Sequence, residues 1–369
     1  MRSTLLLLIS STASAVLGSF LLKRDAPNLP ASALVAMEPL AMEDAKLGKD
    51  LYGKNFTTDH ESMADLLSNN AEIAQSASAA SCSANPGMRF EWRDFSTSDK
   101  LAFVAAIKCL QGKPPSGNFP PATSRYEDFV RLHQTMTPDI HRNDKFAIWH
   151  RYQVWAFEQV LRAECGYNRA FPWWDAARDA GNFVKGTDLF TQPYFGNLLP
   201  AQSNGQGWCI NSGAFGGLTL HIGPGGGATN HCMTRAVNEQ LTGQCSQTYI
   251  DICKSRGTYA EFGSCLEKGP HAFAHNGIGG TMSDVAASPS DSIFYMVHAW
   301  VDHTYRVWQN ADPARILSLN GNDAQGNAMT LDTVISLGGI RPDVRVRDII
   351  NTLGGTVIGG VPFCYKYNY

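Results

Sequence analysis

Six of the ten histidines in this chain fall into two sets of three. The first set is His133, His141 and His150, in "YEDFVRLHQTMTPDIHRNDKFAIWHRYQVWAFEQVLR". The second is His271, His275 and His298, in "GPHAFAHNGIGG" and "DSIFYMVHAWVDHTYRVWQ". His271 and His275 are four residues apart, which puts both on one face of a helix. His150 lies in a long amphipathic pattern built on Phe146, Trp149, Tyr152, Val154, Phe157, Val160 and Leu161 and stopped by Gly166. His298 sits in a third apolar-periodic segment with Phe294, Val301, Tyr305 and Trp308. His133 follows Phe129 on a fourth, short one. Histidines that project inward from four packed helices build a metal site in a bundle core. The expected fold is mainly α, a four-helix bundle with long irregular loops and few, short strands. His141 is expected from a loop, because Pro138 and two Asp in "TPDIHRND" break the helix pattern.

The donor type narrows the metal. Imidazole suits copper, zinc and iron. Three imidazoles hold one ion with an open position, so two triplets imply a pair. Di-iron and di-manganese bundles use Glu with Glu-x-x-His pairs, which are absent here, and the one His-x3-His lacks the Glu of the zinc-protease motif. Copper that meets dioxygen and zinc both remain open on spacing alone. His60, His221, His231 and His303 read as packed or surface residues.

With these motifs the chain resembles the tyrosinase, catechol oxidase and haemocyanin group of coupled dinuclear copper proteins. It is most similar to short fungal catechol-oxidase-like members. The resemblance runs from about Cys82 to Tyr365 and rests on "CSANPGMRFEWRDFS", "WHRYQVWAFEQVLRAECGY" with "FPWWD", and "MSDVAASPSDSIFYMVHAWVD". It implies that His133, His141 and His150 bind one copper and that His271, His275 and His298 bind the other. It also implies oxidation of a phenol or catechol to an o-quinone by dioxygen.

Several positions depart from the family pattern. Val297 stands where many members have a second His before the ligand at His298. The motif continues with Asp302-His303 in place of Asp-Arg. Asp302, one turn after His298, is expected to orient a ligand imidazole. Ala272 stands where efficient phenol hydroxylases often carry Asn. Val285 stands where the family gates the pocket, and valine is expected to leave the entrance open. The family's water-holding Glu corresponds to Glu267 or Glu261. Asp139 occupies the place of the cysteine that forms a thioether in some relatives.

The N-terminus carries Arg2, an apolar run from Leu5 to Ile9 and small residues, which reads as a signal peptide over residues 1–18 with cleavage near Ala15 or Gly18. A membrane anchor is disfavoured because the run is too short to span. Lys23-Arg24 offers a dibasic processing site. Residues 19–80 read as a polar extension or propeptide, and 81–369 as the dicopper domain. Asn55 heads an Asn-Phe-Thr glycosylation sequon. Nine cysteines in a secreted chain imply up to four disulfides and one leftover thiol. Cys82 with Cys364 would tie the ends of the core and Cys109 with Cys165 would join two helices, although sequence does not determine connectivity. The segment holding five of them, Cys209 to Cys265, is Gly-rich and is expected to be irregular. A net charge of −3 without basic clusters argues against a nucleic-acid partner.

The expected protein is thus a secreted enzyme with two copper ions that uses dioxygen to oxidise o-diphenols or o-aminophenols, and monophenols weakly. A tailoring oxidase acting on one phenolic intermediate of a fungal secondary-metabolite pathway shares the same site. A haemocyanin-like oxygen carrier is the alternative outside enzymology, and the expected open pocket counts against it.

Overall fold

The computed structural model describes residues 26–49, 82 and 84–368. The leader, Lys23-Arg24 and Asn55 lie outside the described residues. The core is helical: α1 (Thr97–Gly112), α2 (Arg125–Ile140), α3 (Phe146–Cys165), α4 (Tyr259–Leu266), α5 (Ala272–Ile278) and α6 (Phe294–Asn310). Strands among the described residues are two to five residues long.

Local chemistry sets the helix ends. Ser124 caps α2 by accepting from the Glu127 amide at 3.2 Å. Gly166 ends α3 in the left-handed region, at φ 66°. Helix α2 is longer than the short segment expected for His133: it runs 16 residues and carries Pro138 inside it. Proline removes one intrahelical bond, and so near the last turn the helix survives it. It ends at His141, whose extended backbone (φ −123°, ψ 151°) leaves the helix as expected. Between α4 and α5 the chain makes a single π-turn, Glu267–His271, with a non-helical Gly269.

Helices α2, α3, α5 and α6 surround the histidines. Their inner faces merge with one aromatic core in which Trp92, Trp149, Trp155, Trp174 and Trp308 are almost fully buried. A parallel three-stranded sheet sits beside it, in the order β3-β1-β2, with β1 Gly87–Glu91, β2 Phe171–Trp173 and β3 Tyr365–Tyr367. Its register pairs Gly87 with Tyr365 and Arg89 with Phe171.

Disulfides join Cys82 to Cys364 and Cys109 to Cys165, as expected, and also Cys209 to Cys232 and Cys253 to Cys265. Cys245 is the free thiol, and it is buried. The Cys-rich segment is irregular only in its first part. Helices Gln247–Lys254 and α4 fill the second, and the Cys253–Cys265 bridge links them. No helix among the described residues is long and apolar enough to cross a membrane.

Residues 26–49 lie against this core. Ala45 is buried within it, and Met37 is almost as deep.

Candidate metal centre

The two histidine triplets come together as two adjacent clusters. In each, the candidate ligand atoms lie within 4.8 Å of one another. His133 comes from α2, His141 from its end, His150 from α3, His271 and His275 from the π-turn and α5, and His298 from α6. All but His141 are fully buried, and His141 is 7% exposed. Across the two clusters, the His150 and His298 rings stack with centroids 4.3 Å apart.

Hydrogen bonds fix which nitrogen faces inward. His133 Nδ1 donates to the Ala286 carbonyl (2.9 Å), His150 Nδ1 to that of Phe146 (2.8 Å), His271 Nδ1 to that of Glu267 (3.0 Å) and His275 Nδ1 to that of Met282 (2.8 Å). His141 Nδ1 donates to the Glu267 carboxylate at 2.9 Å. His298 Nδ1 alone of the six has no partner among the described residues.

With Nδ1 protonated, a neutral imidazole presents only a lone pair at Nε2. Those Nε2 atoms point at one another: His133 lies 3.2 Å from His141 and 3.3 Å from His150, while His298 lies 3.3 Å from His271 and 3.2 Å from His275. Facing lone pairs repel unless a cation lies among them. Imidazole nitrogens held tetrahedrally about 2.0 Å from one metal stand about 3.3 Å apart. Burial first, and the neighbouring imidazoles second, push His133, His150, His271 and His298 well below the ordinary histidine range. Burial also carries His275 down to about 3. These five rings are therefore neutral ligands at physiological pH, and the donor set of the two triplets fits two metal ions.

Two phenylalanines wall the clusters. Phe294 stacks on His298 at 4.0 Å and lies 5.3 Å from His133. Phe146 sits 4.9 Å from His150 and 4.7 Å from His271. Each precedes a histidine by four residues on the same helix, so the spacing could have marked them as site walls and not merely as core positions.

Glu267 and Glu261, the two candidates for the family's water-holding Glu, stand in different surroundings. Its carboxylate holds His141 and also accepts from the Arg142 amide at 2.9 Å. Arg142 reaches that bond through a left-handed backbone, φ 57°, at a cost of roughly 1–2 kcal/mol for a residue with a side chain. Glu261 instead closes a capping box with Thr258 at the start of α4.

Asp302 is not where the sequence puts it. Its carboxylate accepts from Arg151 (2.6 Å), Arg89 (3.2 Å), Tyr365 (2.6 Å) and Tyr367 (2.6 Å), and it reaches no imidazole. Burial alone would raise its pKa, but the two guanidiniums outweigh burial and hold it below the usual carboxylate range. Four donors from α3, β1 and β3 saturate it, which leaves it a structural anchor. His303 lies outside the site and stacks on Trp173 at 3.9 Å.

A cavity of about 390 Å³ adjoins the first cluster, with His141, Glu267, Ala272 and Val285 in its wall. Val285 does not by itself leave the entrance open. The N-terminal segment crosses beside it, adding Val35 and Met37 to the lining, and the Val285 amide donates to the Val35 carbonyl at 2.8 Å.

The model of the common central domain of tyrosinase matches residues 123–311. Tyrosinase ustQ of Aspergillus flavus is 30% identical over 77% of this chain and 80% of its own length. The chain belongs to the tyrosinase family. Two further relatives of this tyrosinase-family chain are Tyrosinase P of Aspergillus terreus, 27% identical over 77% of this chain and 92% of that protein, and N-acetyl-6-hydroxytryptophan oxidase ivoB of Emericella nidulans, 26% identical over 82% and 99%. Its fold resembles that of the polyphenol oxidase of Thermothelomyces thermophila, with a TM-score of 0.64 at 24% identity over 85% of this chain and 99% of that one. Family membership settles the choice that spacing left between copper and zinc. The protein is a copper-dependent phenol oxidase with two copper ions as cofactors, and the two triplets fit a dinuclear centre.

Proposed function

We propose that this oxidase converts o-diphenols or o-aminophenols to the corresponding quinones or quinone imines, with weak action on monophenols. For a catechol, two molecules give up two protons and two electrons each, and one dioxygen becomes two waters. His133, His141 and His150 would hold one copper, and His271, His275 and His298 the other. When bound, the metal pair supplies the redox chemistry that couples dioxygen to the phenol. The chain supplies the rest. Carbonyls of Phe146, Glu267, Met282 and Ala286 fix four rings, the Glu267 carboxylate fixes His141, and Phe146 and Phe294 keep water out. The substrate reaches the site through the cavity beside His141, where Ala272 offers no polar side chain to take a proton from a monophenol.

The observation that carries this reading is the pair of buried Nε2 clusters, the first of which meets a cavity through His141. The cavity favours turnover over the oxygen-carrier reading, because it gives an organic substrate a place beside the centre. Four disulfides support secretion, since such bonds persist in oxidising compartments. The test is copper quantification with oxygen uptake on a panel of mono- and diphenols. His150→Ala and His275→Ala should each lose copper and all oxidase activity. Recovery of zinc alone after copper loading would sink the assignment.

A further inference from the structure

We propose that the N-terminal segment 34–40 is the outer wall of the substrate pocket, and that it selects an o-diphenol or o-aminophenol bearing a bulky apolar arm. The proposal rests on the oxidase reading above. It concerns a stretch of chain outside the matched tyrosinase domain, residues 123–311.

The segment is registered to the site by its backbone. The Val285 amide donates to the Val35 carbonyl at 2.8 Å, and the Leu40 amide donates to the Lys268 carbonyl at 2.8 Å. Asn276 Nδ2 donates to the Met37 carbonyl at 2.8 Å, and the Tyr249 hydroxyl to that of Leu40 at 2.7 Å. Three of these anchors adjoin site residues. Val285 precedes Ala286, whose carbonyl holds His133. Asn276 follows His275, and Lys268 follows Glu267. The segment therefore cannot shift along the core without breaking bonds next to the histidines.

Because the backbone makes these bonds, side chains are left for the cavity. Val35, Met37 and Glu38 line it together with Ala272 and Val285. Met37 is 9% exposed, so its side chain is held in place and not hanging in solvent. With the segment seated, the cavity still measures about 390 Å³. Pockets of roughly 300–1,000 Å³ take drug-sized ligands, so this volume exceeds what a single phenol ring needs. A seated segment that leaves such room behaves as a wall and not as a plug. The chemistry facing inward is mostly apolar, and an unbranched thioether adapts to an irregular apolar partner. The complementary substrate carries an apolar group of about a second ring on its phenol.

The experiment compares catechol with 4-phenylcatechol on the copper-loaded full chain, its Met37→Ala and Met37→Leu variants, and Met37→Trp. The wild type should prefer 4-phenylcatechol in kcat/KM. Met37→Ala should cut that preference about tenfold through KM, the low end for one apolar pocket contact, and Met37→Leu should restore most of it. Met37→Trp should reject 4-phenylcatechol far more than catechol. Equilibrium binding of 4-phenylcatechol, read without turnover, should weaken in Met37→Ala by the same factor. Melting temperature and copper content show that each variant is folded and loaded. An unchanged preference and unchanged binding across the variants would overturn the wall. So would higher turnover of both substrates alike in a chain whose segment has been released by cutting an engineered protease site between residues 50 and 81. If copper-loaded protein oxidises neither catechol but binding still depends on Met37, the oxidase reading fails and the wall stands.

Discussion

Glu267 accepts a hydrogen bond from His141 Nδ1 at 2.9 Å, across 126 residues of chain. His141 stands at the end of α2, where no helix turn holds it, so this carboxylate does for it what carbonyls do for four of the other rings. Partners of this kind are worth about 10–100-fold in metal affinity. Glu267→Ala should weaken copper retention by that factor in a chelator competition. Glu267→Gln keeps an acceptor oxygen and should lose less. Equal retention in all three proteins would show that His141 is oriented by packing alone.

The histidine pattern was legible because it is local. His271 and His275 declare a helix face, and the apolar periodicity around His150 and His298 declares two more. Long-range contacts were not. Nothing near Glu267 says that it meets His141, and nothing near Glu261 says that it closes a capping box with Thr258. Pro138 looked like a helix stop because a sequence reading cannot tell a last-turn proline from an interior one. Asp302 looked like a ligand partner because it follows His298 by one turn, while its actual donors come from β1, α3 and β3. The segment around Met37 carried no signal, since backbone groups hold it down.

Asp302 provides a direct check on that correction. Removing its charge leaves Arg151 buried without a carboxylate partner, while Arg89 keeps Glu158 at 2.9 Å. Breaking a buried ion pair costs about 3–5 kcal/mol. Asp302→Asn should therefore lower the melting temperature sharply in denaturation, while the surviving folded protein still binds two coppers per chain. Selective loss of copper at unchanged stability would return Asp302 to the role of ligand partner.

Ala272 lies in the cavity wall and is almost fully buried. An Asn there would place an acceptor facing the incoming hydroxyl. Ala272→Asn should raise the ratio of monophenol to diphenol turnover, by up to about 100-fold, the low end of general-base assistance. The larger side chain has the cavity to extend into, so any fall in melting temperature should stay within the range of roughly 1–3 kcal/mol for overpacking. If the wild type already oxidises monophenols as fast as diphenols, Ala272 is not what limits them.

His303 should make the fold acid-sensitive independently of the metal centre. It stacks on Trp173 with rings 13° from parallel. Burial lowers its pKa to about 3, the nearby Asp302 opposes that, and Lys254 adds to it. In the unfolded chain the ring titrates near 6.5. Between these values the unfolded state takes up a proton that the folded state refuses, so stability falls as the pH drops below 6.5. The loss reaches about 2 kcal/mol at pH 5. Phenylalanine keeps a ring against Trp173 and cannot titrate. The stability of His303→Phe relative to wild type should therefore grow more favourable by about that amount between pH 7 and pH 5, measured by chemical denaturation at each pH. A difference that stays constant over that range would mean that His303 is already protonated, or already exposed, in the folded protein.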